Sequence, residues 1–185
     1  AFDWLTPFSL MTGMALIFGY ALLGATWLIM KTDEHTQKWA RLCALYVAIY
    51  VTVFIFLVCL SVPFLNQHVS NRWLCFPNLI YLFPIPLFTV CTIFFLFRSL
   101  IRKHENTPFI LSIILFVLNY VGLAASLWPW AVPYRISLRQ AAAEPESLSL
   151  LLIGVVLFLP CVLIYTGYCY YVFRGKSHDG AGYHE

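Results

Sequence analysis

The sequence predicts an all-α fold: a polytopic transmembrane helical bundle of about five membrane-spanning helices, with the N-terminus outside and the C-terminus cytoplasmic. Three observations predict it. Of 185 residues 62% are hydrophobic and 10% charged, against about 25% charged in soluble domains, and the mean hydropathy is +0.83. The apolar residues gather in five runs, at about 8–30, 42–62, 74–98, 109–128 and 148–173, and a helix needs roughly 20 apolar residues to cross the hydrocarbon core. Nearly all charges fall between these runs, in short connections, so residues 1–185 read as a single bundle with no soluble domain or linker.

The first run has neither a basic leader nor a small-residue cleavage site, so it is not a signal peptide. The chain opens on Ala1 rather than methionine, and the expectation is a processed chain or the later part of a longer one. On a helical wheel Ser9, Gly13, Tyr20, Gly24 and Trp27 fall within about 60 degrees of one another at 100 degrees per residue. That stripe predicts a packing seam, because small residues let helices approach closely in lipid. Thr26 lies on another face, where its hydroxyl can donate to the carbonyl of Leu22. Trp27 stands one turn from Lys31, where an amphipathic ring meets the headgroups.

The second run holds Cys43 and Cys59. In the third, "FPNLIYLFPIPLFTV" (76–90) puts Pro84 and Pro86 in mid-span, which predicts a kink through the lost bonds to the carbonyls of Ile80 and Leu82. Only Asn78 and Thr89 supply polarity nearby, too little for the substrate site that broken helices build in transporters. In the fourth run Asn119 shares a face with Leu115, Gly122 and Ser126, and the expectation is an amide bond to a neighbouring helix, with a quinone or lipid headgroup as the sharper alternative. In the fifth, Pro160 removes the bond to the Val156 carbonyl.

Orientation comes from the cations. Lys31, Lys38, Arg41, Arg98, Arg102, Lys103, Arg174 and Lys176 fall on one side of the membrane and Arg72, Arg135 and Arg139 on the other, so the positive-inside rule makes the richer side cytoplasmic. The net charge of +3 reflects topology, and no nucleic-acid partner is expected. The aromatic residues form interfacial belts, with Trp73, Trp128 and Trp130 outside and Tyr165, Tyr168, Tyr170 and Tyr171 towards the cytoplasm.

The same reading yields no catalytic, cofactor-binding or metal-ligating residue. Ionisable residues within a span usually mark proton or ion paths or cofactor ligands, and none of the five runs carries Asp, Glu, Lys or His in its interior. His35, His68, His104, His178 and His184 all lie outside the spans, where they cannot serve a buried haem as axial ligands. Cys43, Cys59, Cys75, Cys91, Cys161 and Cys169 contain no Cys-x-x-Cys pair and read as free, buried thiols. No metalloprotease helix, phosphate loop or nucleophile elbow is present.

Several segments carry a family resemblance: "DWLTPFSLMTGMALIFGYALLGATWLIMKT" (3–32), "FPNLIYLFPIPL" (76–87), "SLWPWAVP" (126–133), "QAAAEPESLSLLLIG" (140–154), "LPCVLIYTGYCYYVFRGK" (159–176) and the closing "GYH". In this order and spacing they resemble subunit II of the cytochrome bd-type quinol oxidases, particularly the cyanide-insensitive branch, and specifically its C-terminal portion. Glu144, and the two arginines of "PYRISLRQ" (133–140), depart from the family pattern. The resemblance implies a terminal oxidase that oxidises quinol and reduces oxygen to water in the respiratory chain of a bacterial cytoplasmic (inner) membrane. It also implies that the b-type and d-type haems and the quinol site belong to partner subunit I, with none bound by this chain. Further implied partners are the N-terminal half of subunit II, a small single-span accessory subunit, membrane lipids and the quinol pool. From the residues alone two other classes stay open: half of a transporter or channel bundle, which needs polar path-lining groups, and a membrane-embedded transferase or protease, which needs a catalytic dyad.

Overall fold

The computed structural model describes residues 7–65, 82–132, 136–173 and 175. Its elements, in chain order, are α1 (Pro7–Lys31), α2 (Glu34–Leu65), α3 (Pro84–Ile101), α4 (Thr107–Leu127), β1 (Trp130–Val132), β2 (Ile136–Ser137), α5 (Leu138–Ala141) and α6 (Pro145–Val172). Five of the helices are long and apolar enough to cross a membrane, over Ser9–Lys31, His35–Ser61, Pro84–Ile101, Thr107–Ser126 and Pro145–Val172. The all-α polytopic architecture expected from the five apolar runs is therefore present.

The chain divides into two units, one of residues 1–126 with 176–185 and one of 127–175. In the first, α1 and α2 form an antiparallel pair joined by Thr32 and Asp33. One face of α1, Leu22, Thr26 and Ile29, is buried together with Ala40, Ala44, Ala48 and Val51 of α2. Three alanines four residues apart leave a groove along α2, and dispersion contacts across such a groove hold helices together where lipid removes the hydrophobic drive. Phe18 adds stacks on Tyr50 and Phe54, with ring centroids 5.0 and 5.6 Å away.

On α3 the buried side chains are Thr89, Thr92, Leu96, Ser99 and Leu100, whose spacing of three and four residues marks one face. Leu96 and Leu100 join the α1–α2 core, as does Leu115 of α4. Helix α4 also touches α1, where Tyr20 meets Phe116 and Trp27 meets Phe109 at 5.5 and 5.0 Å between centroids. It meets α3 at Gly122, where an added Cβ would stand 3.5 Å from Cγ2 of Ile85. The four helices thus enclose one core.

Among the described residues the buried hydroxyls other than that of Ser99 are satisfied by their own helices. Thr26, Thr89, Thr92 and Ser112 each donate to the carbonyl four residues earlier, at 2.7 to 2.9 Å. The bond expected from Thr26 to Leu22 is 2.8 Å long. With no water at hand, this local bond is the one that is always within reach.

Three expectations need correction. Gly13 and Gly24 have nothing within 4 Å of where a Cβ would stand, so the stripe meets α4 through its aromatic members Tyr20 and Trp27 and not through its glycines; the small residues buried between helices of this chain are Ala40, Ala44 and Ala48 of α2. The interruption expected at the prolines falls between the helical Leu82 and α3, which begins at Pro84 after the turn residue Phe83; proline suits such a first turn because its missing N–H has no intrahelical partner to lose. The predicted stretch 74–81 lies outside the described residues. Asn119 donates to the carbonyl of Leu115 in its own helix at 2.7 Å, not to a neighbour. Finally, α2 starts at Glu34, so Lys38 and Arg41 sit on a helix and not in a loop.

The second unit contains β1 and β2, an antiparallel pair in the register Trp130 to Ser137 and Val132 to Ile136 with a bulge between. No strand was expected here. Ser137 then opens α5 with a capping box: its Oγ accepts from the N–H of Gln140, and its own N–H donates to the Gln140 side chain. Pro145 occupies the first turn of α6 and Pro160 lies within it, as the sequence places it.

Candidate functional site

The most developed polar constellation among the described residues lies where the α1–α2 and α3–α4 turns meet. It is organised by two side chains of α2 one helical turn apart. Gln37 reaches back to the end of α1: its Nε2 donates to the carbonyls of Ile29 and Thr32 at 3.0 and 3.2 Å, and stands 3.4 Å from Oε1 of Glu105 on the α3–α4 turn. Arg41 reaches to the end of α3, donating to the carbonyls of Leu100 and His104 at 3.4 and 3.3 Å. The last carbonyls of a helix lack intrahelical donors and carry partial negative charge, so an amide and a guanidinium suit these two ends.

The end of α3 is a Schellman motif. The N–H of His104 donates to the carbonyl of Ser99 and that of Lys103 to Leu100, and Lys103 has φ 60°. This left-handed position usually holds glycine, which bears no Cβ. Beside it the hydroxyl of Ser99 is buried without a hydrogen-bond partner.

Lys31 ends α1 with its Nζ 5.2 Å from the centre of the Trp27 ring, and Trp27 in turn packs edge-on against Phe109 in the first turn of α4. Trp27 stands one turn before Lys31, as the sequence places it, and the contact between ring and ammonium is an addition from the structure. Exposed around this end are Lys38, Arg98, Arg102 and Lys103. Both basic connections therefore lie at one end of the four helices, as the charge count requires.

No group of three His, Cys, Asp or Glu side chains able to hold a metal forms among the described residues. His35 and His104 are exposed, at the start of α2 and after α3. Placed there, they do not fit the axial ligation of a haem within the bundle. Cys43, Cys59, Cys91, Cys161 and Cys169 are free thiols. His68, Arg72, Trp73, Cys75, Asn78, Ile80, Arg135, Arg174, Lys176, His178 and His184 lie outside the described residues.

The model of one protein family, described as cytochrome bd terminal oxidase subunit II, matches residues 1–173. The chain belongs to that family. It is a subunit II chain of a terminal oxidase, a multi-pass inner-membrane protein whose family partner is subunit I. No curated protein matches it. The Gln37–Arg41–Glu105 constellation of this subunit II chain was not singled out from the sequence. Its signal was available: a polar pair four apart at the start of an apolar helix, and one acid within the second basic turn.

Proposed function

We propose that this chain is a non-haem-ligating subunit of a membrane quinol:oxygen oxidoreductase, which supports the assembly of subunit I and the environment of its haems. The observation that carries the reading is the family match over residues 1–173. The placement of His35 and His104 on exposed helix ends supports leaving the b-type and d-type haems, and the quinol site, to subunit I. Bound there, the haems would supply the electron transfer and oxygen chemistry, while this chain would contribute helices to pack against and no reacting group. We further propose that it corresponds to the C-terminal portion of subunit II, completed by an N-terminal half and accompanied by a small accessory subunit. Its N-terminus would be outside and its C-terminus cytoplasmic, with the bundle end bearing Arg41 and Lys103 at the cytoplasmic face.

The transporter reading drew its support from mid-span prolines. That reading also needs polar groups lining a path, and the interiors of the five apolar runs carry no Asp, Glu, Lys or His.

Purification of the native complex through a tag on this chain tests the proposal. The expected result is a co-purifying larger chain and haem bands in the reduced-minus-oxidised spectrum, with no stoichiometric haem on the isolated chain. A complex lacking haem bands would overturn the oxidase reading; stoichiometric haem on the isolated chain would overturn the non-ligating role.

A further inference from the structure

We infer that the end of the bundle formed by the α1–α2 and α3–α4 turns is a binding site for the phosphodiester headgroup of an anionic membrane lipid, held by Arg98, Arg102 and Lys103 with Lys38 alongside. The inference rests on the geometry of this end and not on the oxidase reading.

The charges there are unbalanced in a particular way. Six Lys and Arg accompany three acids, Asp33, Glu34 and Glu105, in residues 31–41 and 98–105. Arg41 is turned inward onto the carbonyls of Leu100 and His104, and Lys31 lies over Trp27. Glu105 is engaged by Gln37 from the other turn. Lys38, Arg98, Arg102 and Lys103 are exposed, and none of the ion pairs or hydrogen bonds found among the described residues uses their side chains. Arg98 and Arg102 are one turn apart, a spacing at which like charges repel and weaken the helix end. Lys103 follows in a left-handed conformation that disfavours any side chain. An anion between these cations would convert the repulsion into attraction.

The height of the patch selects the anion. Trp27, over which Lys31 sits, belongs to the interfacial class of side chain, and it contacts Phe109 in the first turn of α4. The ends of α1 and α3 and the starts of α2 and α4 are tied to this level by the Gln37 and Arg41 bonds. The exposed cations therefore emerge where headgroup phosphates lie. Basic positions immediately outside membrane helices attract anionic lipids by about five-fold in affinity per cation, and an arginine fork matches two phosphate oxygens at once.

The test uses the purified native complex exchanged into nanodiscs of equimolar phosphatidylglycerol and phosphatidylcholine, with retained lipids counted by native mass spectrometry after extraction into detergent. Phosphatidylglycerol should be retained over phosphatidylcholine. Arg98→Gln and Arg102→Gln should each lower that retention about five-fold, while Arg139→Gln, on α5, should leave it unchanged. Equal retention of the two lipids, or retention indifferent to both arginine changes, would overturn the proposal. Displacement of the lipid by inorganic phosphate, at the ionic strength of a chloride control, would mean a free-phosphate site and would overturn it too. If the variants do not assemble, the wild-type complex still decides: selective retention that falls with salt supports a headgroup site, and retention indifferent to salt sinks it.

Discussion

The guanidinium of Arg41, in the second turn of α2, lies 3.3 Å from the carbonyl oxygen of His104, beyond the end of α3. With its bond to Leu100 this contact closes a helix end by a side chain 63 residues away, and it holds the two turns at one end of the bundle in a common arrangement. Replacing Arg41 with methionine keeps the aliphatic stem and removes the donors. The change should destabilise the chain by about 1–2 kcal/mol, since bonds of charged donors to partly exposed carbonyls sit at the low end of their range. Arg41→Lys should recover part of the loss, as a point charge without the fork. Unfolding in detergent followed by circular dichroism is the check.

Lys103 has φ 60° at the position of the Schellman motif that glycine normally takes. Lys103→Gly should raise stability by up to about 1 kcal/mol, because the strain of a Cβ in the left-handed region disappears. Lys103→Val, with a branched Cβ, should lower it. A thermal unfolding series of the three chains would expose a wrong assignment as a reversed order.

Ala44 is fully buried where α1 and α2 meet. Ala44→Leu should cost roughly 1–3 kcal/mol by overpacking that groove. Gly24→Leu, with open space around its position, should leave the stability of the isolated chain almost unchanged. If Gly24→Leu is the more damaging of the two to the isolated chain, the helices pack through the glycine stripe after all.

Thr26 is fully buried, yet its hydroxyl donates only to Leu22 and Leu23 of its own helix, at 2.8 and 3.1 Å. Thr26→Val keeps the shape and removes a locally satisfied group, so it should cost well under about 1 kcal/mol. Loss of the folded chain on this substitution, measured by the same unfolding assay, would show that the hydroxyl serves a partner outside its helix.

Topology is checked with single cysteines at Thr107 and Ala142, both exposed, in a background without native cysteines. An impermeant thiol reagent added outside intact cells should label Ala142→Cys and not Thr107→Cys. The opposite pattern would reverse the orientation drawn from the eight-to-three distribution of Lys and Arg.

Five apolar runs separated by charged turns were enough to determine an all-α membrane bundle, because a backbone in lipid must satisfy its own hydrogen bonds and helices do so segment by segment. For the same reason the bond from Thr26 to its own helix was legible: both partners lie within one turn, and local distance is all that a sequence carries. What only the tertiary structure decided is which small residues meet. Gly13 and Gly24 on α1, and Ala40, Ala44 and Ala48 on α2, make equally plausible stripes, and the choice depends on how each helix is rotated against its neighbours, where the differences in packing energy between apolar faces are small. The constellation of Gln37, Arg41 and Glu105 was hidden likewise, since residues 37 and 105 become neighbours only once four helices fold back on one another. Its ingredients were visible; their convergence on two helix ends follows from long-range packing, which no local pattern encodes.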